Sequence, residues 1–254
     1  MLHTVAFGDP DATTWGVCWL PKGTSEATLV VRRHEAALRL PARLQTEAPE
    51  GVWRLEGDGF SLAFVPGSAP VHSELGGQLS SLDQLGEVSG RLPVAGADTE
   101  LSCPGWRSSV EAAAGLERLD SFRLVAGWFD GRAGFSLTAL RPDKARGQED
   151  DLVSAALIED PPAPPVVDPR LSTTYTETGL PTRAGLELWP PEPEEAGQEA
   201  GQEPAPHYPR RAAGEVLGAG LAWSEADFDL QALFVQWHSQ GREGPGVYVL
   251  GRRR

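Results

Sequence analysis

Two stretches of this chain are versions of one another. WRLEGDGFSLAF occupies positions 53–64 and WFDGRAGFSLTAL positions 128–140. Trp53 and Trp128 each stand seven residues before a Phe, Phe60 and Phe135, with Gly just before that Phe and Ser-Leu just after it. A Gly-containing break between two apolar runs is a hairpin signal. Each copy therefore reads as a strand ending near the Trp, a turn, and a strand starting at the Phe. A looser third echo runs from Trp237 through the turn at Gly241–Gly246 to Leu250. The pattern predicts a duplicated antiparallel β protein, and it specifies no reaction.

The rest of the chain supports short strands over long helices. With 29 Gly and 22 Pro among 254 residues, turns come too often for a helical fold. Strands are expected at Trp15–Leu20, Ala27–Arg32, His34–Leu44, Leu119–Trp128, Leu152–Ile158 and Gly185–Trp189. Leu85–Cys103 reads as a hairpin turning at Gly96–Asp98. Ser172–Thr178 is β-prone with little apolar content, which suits an edge strand. Short helical pieces are expected at Ser109–Gly115 and near Ser224–Asp227, where Ser224 and Asp227 resemble a capping box. Leu230, Leu233, Phe234 and Trp237 fit helical spacing, yet Leu233, Val235 and Trp237 also alternate. The Pro/Glu-rich run 190–209 cannot bury enough apolar surface to order itself and is expected to be a mobile loop. Two lobes are expected, residues 1–105 and 106–254.

Charge and cysteine content exclude some classes. A net charge of −14 disfavours nucleic acid and anionic membranes as partners. No apolar run is long enough for a membrane span. The first residues lack a signal peptide's basic and apolar regions, and Cys18 and Cys103 make no disulfide framework. A cytoplasmic protein with two reduced thiols is expected. No metal or cofactor is expected. His34-Glu35-Ala36-Ala37-Leu38 lacks the second His of a zinc helix, and Gly218-Ala219-Gly220 lacks the rest of a dinucleotide fingerprint.

Cys103-Pro104-Gly105-Trp106-Arg107-Ser108-Ser109 concentrates a thiol, an indole, a guanidinium and two hydroxyls between the two repeat-bearing halves. Here the chain resembles a known group. The run Gly90-x-Leu92-x-Val94-x-Gly96, then Pro104–Ser109, then an aromatic strand ending in Phe129-Asp130-Gly131, is similar to the two-lobed lipocalin-like proteins. These are related to carotenoid hydratases and tocopherol cyclases. Their motif between lobes is Gly-aromatic-Arg-Asp-His-Ser-Trp-Gly. Gly105, Trp106 and Arg107 match it, while Ser108 and Ser109 replace the Asp and His. The acidic residue that would supply acid–base chemistry is thus missing from its place.

The resemblance implies an all-β, antiparallel fold of two lipocalin-like barrels or half-barrels with little helix. It also implies a small, mostly apolar ligand, lipid- or terpenoid-like. Such pockets are apolar with a few polar anchors. Trp106, Trp128, Trp223 and Trp237 are the expected lining, with Arg107 or Arg123 orienting a carboxylate or carbonyl. The alternatives are a cyclase, isomerase or hydratase using a carboxylate such as Asp130, and an interaction module without a cavity.

Overall fold

The structure is a computed structural model. It describes residues 2–8, 14–21, 26–34, 36–46, 48, 50–94, 97–113, 115–129, 131–192, 208–225 and 227–254. Asp130 and most of the 190–209 run lie outside the described residues.

The first sheet holds β1 (Leu2–Gly8), β2 (Thr14–Pro21), β3 (Ala27–Arg33), β4 (Ala36–Thr46), β5 (Trp53–Gly57), β6 (Phe60–Pro66), β7 (Val71–Leu75), β8 (Leu79–Val94) and β9 (Ala97–Ala112). Neighbours pair antiparallel in chain order, except that β6 passes over β7 to pair with β8. Strand β9 returns to β1 and closes the barrel, while β7 lies as a flap along the start of β8. The second sheet holds β10 (Leu119–Trp128), β11 (Gly134–Pro142), β12 (Leu152–Ile158), β13 (Asp168–Tyr175), β14 (Pro181–Trp189), β15 (Arg210–Val216), β16 (Leu221–Glu225), β17 (Phe228–Ser239) and β18 (Arg242–Arg253). It follows the same path: β15 passes over β16 to β17, and β18 returns to β10. Strands β12 and β13 are the two ends of this sheet's strand order, so the second barrel keeps an open seam. Nearly closed barrels solve the exposed-edge problem of a Gly-rich β chain.

Side chains alternate across each strand, and this produces three apolar layers. Phe7, Leu29, Trp53, Phe64, Val88 and their neighbours fill the first barrel. Val125, Phe135, Leu186, Leu233, Trp237 and Tyr248 fill the second. Between the barrels the alternate residues form a third layer that includes Trp15, Trp19, Trp106, Phe122, Trp128, Trp223 and Phe234. Trp15 stacks on Phe234 at 5.5 Å, and Trp19 stacks on Phe122 at 4.9 Å, so aromatic faces join the lobes. The approach is close. A Cβ on Gly8 would lie 2.3 Å from the Phe234 ring, so a larger residue there must displace that ring.

Several expectations change. Trp128 does end β10, facing Gly134 across the turn, but Trp53 begins β5 and faces Phe64 at the open end of its hairpin. The repeated words therefore sit at different registers. One is the fifth-to-sixth hairpin of the first barrel, and the other is the first-to-second hairpin of the second. The expected boundary at 105/106 falls within β9, and the change of sheet comes between Ala112 and Leu119. Cys103–Ser109 is thus no connector. Pro104 is tolerated because β1 pairs only as far as Gly105, so the ladder on that side has ended. Strand β9 takes up most of the helical piece expected at Ser109–Gly115, leaving a short 3-10 turn at Leu116–Arg118. Ser224 caps no helix. It faces Asp229 in the β16–β17 hairpin, and its hydroxyl donates to Asp229 Oδ1 at 2.7 Å.

Candidate functional site

The residues singled out in the sequence are dealt into the three layers. Trp106, Trp128 and Trp223 lie between the lobes. Trp237 lies inside the second barrel. Arg107 follows Trp106 on β9 and so points the other way, into the first barrel. Its guanidinium is stacked over Trp53 at 4.7 Å and Phe64 at 5.0 Å. Its Nε donates to Gln84 Oε1 at 3.0 Å, and its terminal nitrogens donate to Gln84 Oε1 and the Gly51 carbonyl. Arg107 is fully buried. Burial lowers its pKa to about 10, with Glu50 opposing the shift, so it remains a cation at neutral pH. Each of its three nitrogens donates and two aromatic rings press on it, so Arg107 plugs the first barrel. The six described candidates do not line one cavity.

Arg123 has a different setting. It stands midway along β10, opposite Leu250 of β18, which in turn faces Gln231 of β17. The three side chains form one interior rung at the end of the second barrel. One rung deeper lie Val125, Tyr248 and Leu233. The same end collects Asp151, Arg141, Thr173 and Tyr175. Arg141 donates to Asp151 at 3.0 Å, and Arg123 lies 3.7 Å from the same carboxylate. The Tyr248 and Thr173 hydroxyls are 3.1 Å apart. Tyr175 lies close enough to Tyr248 and Arg123 to interact with both electrostatically.

Two polar atoms on this rung lack hydrogen-bond partners among the described residues: Arg123 Nε, a donor, and Gln231 Oε1, an acceptor. An orphaned buried polar group costs about 1–3 kcal/mol, and native structures leave few of them. Beside Gln231 opens a pocket of about 680 Å³ whose lining also includes Leu180, Pro181, Val216, Leu221 and Leu233. The site is apolar with a polar rim.

Electrostatics distinguish the two tyrosines. Burial raises the Tyr248 phenol well above its ordinary value. Burial also raises Tyr175, but its interaction with Tyr248 and the Arg123 charge outweigh that, and its pKa is net lowered. For Arg123, burial works to lower the pKa, and the neighbouring Tyr248, Tyr175 and Asp151 reverse it, leaving the guanidinium more firmly protonated.

The corresponding end of the first barrel carries the rung His3–Ser109–Leu82. His3 Nδ1 lies 2.8 Å from Ser109 Oγ, and its ring meets Trp53 edge-on at 5.2 Å. A cavity of about 590 Å³ opens here among His3, His72, Glu74, Ser80 and Glu111. It is more polar than its counterpart. Burial lowers the His3 pKa, helped by the N-terminal charge.

Between the lobes lies Asp83, nearly fully buried. It accepts from Ser81 Oγ at 2.9 Å and from Trp106 Nε1 at 3.0 Å, and the hydroxyls of Ser108 and Ser136 face it. Burial dominates and raises its pKa. Asp83 stands directly across β8 from Ser108, and His3 directly across β1 from Ser109. The carboxylate and imidazole absent from positions 108 and 109 are therefore present on the neighbouring strands. Asp83, Gln231, Tyr175 and Tyr248 were not singled out from sequence. The available signal was a polar residue inside an apolar run, as in Leu82-Asp83-Gln84-Leu85.

No family model and no curated protein matches this chain in sequence. Solved structures do match it in fold. The chain is similar to kievitone hydratase from Nectria haematococca at a TM-score of 0.59 and 8% identity, covering 99% of this chain and 88% of that one. It is also similar to a Nitrosomonas europaea protein designated provisionally as AttH, at a TM-score of 0.56 and 12% identity, covering 98% and 91%. At such identities the likeness concerns fold alone. The class of the molecule is a two-lobed, lipocalin-like β-barrel protein. No helix among the described residues is long and apolar enough to cross a membrane.

Proposed function

We propose that the second lobe binds one small, mostly apolar molecule whose oxygen-bearing end rests on Arg123. The observation that carries this reading is the orphaned pair Arg123 Nε and Gln231 Oε1 on one interior rung, of which Gln231 lines an open apolar pocket. A ligand carbonyl, ether or carboxylate oxygen accepts from Arg123, and a hydroxyl next to it donates to Gln231. Leu233, Val216 and Leu180 receive the hydrocarbon part. Trp237 belongs to the packed floor below. Burying a small hydrocarbon at about 25 cal/mol per Å² supplies most of the affinity, and the polar pair selects orientation. Arg107 is not an anchor in this reading, because it is fully buried and each of its nitrogens already donates within the first barrel.

Native mass spectrometry of protein purified from its own host is the direct test. A co-purifying mass of a few hundred daltons, lost from Arg123→Met protein, is the expected result. Calorimetric titration with 2-decanone and with decane separates the roles of rim and interior. The ketone should bind wild type about 10–100-fold more tightly than Arg123→Met, the span of a hydrogen bond to a charged group. Decane should not distinguish the two proteins. Equal ketone affinity in both would remove Arg123 from the site.

A further inference from the structure

The mouth of the first barrel holds a pair of side chains that ligand binding in the second lobe does not use. His3 of β1 and Ser109 of β9 are direct partners across the ladder, the arrangement in which side chains on one face of a sheet meet. His3 Nδ1 lies 2.8 Å from Ser109 Oγ. The edge-on contact of the His3 ring with Trp53, at 5.2 Å, holds the imidazole in that orientation. Both His3 and Ser109 are only half-buried, and both line the cavity of about 590 Å³ at this end of the barrel. One register deeper, Arg107 closes the interior. The Ser109 hydroxyl therefore stands on the wall of a cup, with a base already against it.

We infer that Ser109 and His3 form a nucleophile–base pair that hydrolyses small carboxylic esters carrying no negative charge. This is a second site, independent of the ligand reading for the second lobe. A serine hydroxyl is a weak nucleophile until a base within hydrogen-bond reach takes its proton. In the first half of the reaction the Ser109 oxygen bonds to the ester carbonyl carbon, the carbonyl π pair moves onto oxygen, and the hydroxyl proton passes to His3 Nδ1. The tetrahedral centre then expels the alcohol oxygen with its bonding pair, and His3 gives that oxygen the proton. Water repeats the sequence on the acylated Ser109. Its oxygen bonds to the carbonyl carbon, His3 takes its proton, and the Ser109 oxygen leaves with its pair and is reprotonated. The sum consumes one ester and one water and yields an acid and an alcohol. Thr46 and Ser80 line the same cavity, and their hydroxyls supply donors for the carbonyl oxygen.

The surrounding charge sets the substrate class. Glu74 of β7 and Glu111 of β9 line the cavity, and Glu50 lies 3.7 Å from His72 at its edge. Clustered negative charge repels an anionic substrate. His3 acts as a base only when neutral, and burial helped by the N-terminal charge lowers its pKa below the ordinary 6.5. The other groups facing it among the described residues are His72 and Glu74 from β7, Glu111 from β9 and Arg107 one register deeper. Acylation should therefore rise with pH and level off by about pH 7, above the ordinary histidine value.

The test uses the full chain and 4-nitrophenyl acetate. A burst of 4-nitrophenolate followed by steady release is expected, and peptide mapping of the acid-quenched wild type should place the acetyl group on Ser109. Ser109→Ala should release 4-nitrophenolate at the buffer rate. His3→Asn keeps a polar partner for Ser109 but no base, and should react about 10²–10⁴-fold more slowly than wild type. An anionic ester, 4-nitrophenyl hemisuccinate, should react about tenfold more slowly than the acetate. Acetyl found on lysine or the amino terminus and not on Ser109 overturns the nucleophile, and so does a Ser109→Ala rate equal to wild type. His3→Asn reacting like wild type overturns the base. The mapping is made on wild type, so it decides the nucleophile even if a variant fails to fold.

Discussion

The two barrels follow one strand path and treat the same interior position in opposite ways. Val5 faces Arg107 in the first, and Val125 faces Tyr248 at the matching register in the second. At that position the first barrel holds a cation stacked on Trp53 and Phe64 and bound to Gln84. The second holds a phenol, with Leu233 in the place of Gln84. A guanidinium takes many acceptors and aromatic faces, and Trp53, Phe64, Gln84 and the Gly51 carbonyl supply them inside the first barrel. A phenol needs one partner, which Thr173 supplies, and the second barrel keeps a seam between β12 and β13. One lobe has used its polar residue for packing, and the other has polar groups to spare at its rim. Two lobes with a common path thus differ at one interior position: the first is plugged there by Arg107, and the second keeps an open seam between β12 and β13.

This contrast can be broken at several points, and the largest effect lies where the lobes meet. Trp128→Ala should cost about 3–5 kcal/mol in urea unfolding, because the indole is fully buried in the shared layer. Loss of a smaller amount would mean that the lobes hold together without it. Next comes Arg107→Ala. It removes the plug and leaves Gln84 and the Gly51 carbonyl without their donor, for about 2–4 kcal/mol. If the plug alone distinguishes the barrels, this variant should also gain apolar-probe binding in the first lobe. Unchanged probe binding would show that Trp53 and Phe64 collapse into the space.

Asp83 offers a pH-dependent test of the junction. Its folded pKa is raised above the unfolded value of about 3.9. Below that value both states are protonated. As pH rises through and beyond it, the unfolded chain loses its proton first, so stability falls until the folded pKa is passed. Asp83→Asn keeps an oxygen for Trp106 Nε1 and should flatten that part of the stability–pH curve. A curve identical to wild type would mean that Asp83 does not carry the slope. Arg123→Met should be the mildest change, about 1 kcal/mol in stability, because it removes the 3.7 Å ion pair with Asp151 while Arg141 stays at 3.0 Å from the same carboxylate. Its larger expected effect is on ligand affinity.

Much of the fold could be read from local pattern. The strand at Ala36–Thr46, the edge character of the stretch around Tyr175 and the hairpin after Trp237 all follow from alternation and turn residues. The ambiguous run Leu230–Trp237 also has an explanation. Leu230, Ala232 and Phe234 face the other lobe, while Leu233, Val235 and Trp237 face the barrel interior. A strand buried on both faces is apolar at nearly every position, so helical spacing appears in it by chance. The candidate site was less legible. Arg107 and Arg123 were indistinguishable in sequence, because whether a guanidinium is spent or available depends on which rings and acceptors surround it. Tyr175 sits in a stretch of threonines that signals only surface.

The sequence alone determined an antiparallel, two-part β protein, because alternation and turn chemistry act over a few residues and do not depend on what the strands later meet. The tertiary structure decided everything that crosses strands. It gave Trp53 and Trp128 different registers despite their shared words, since pairing partners rather than the words set register. It placed Asp83 opposite Ser108 and His3 opposite Ser109, pairings that no position-by-position reading shows. It also assembled Arg123, Gln231, Tyr175 and Tyr248 from four strands at one barrel mouth. Their proximity is a property of closure, and no local stretch of this chain records it.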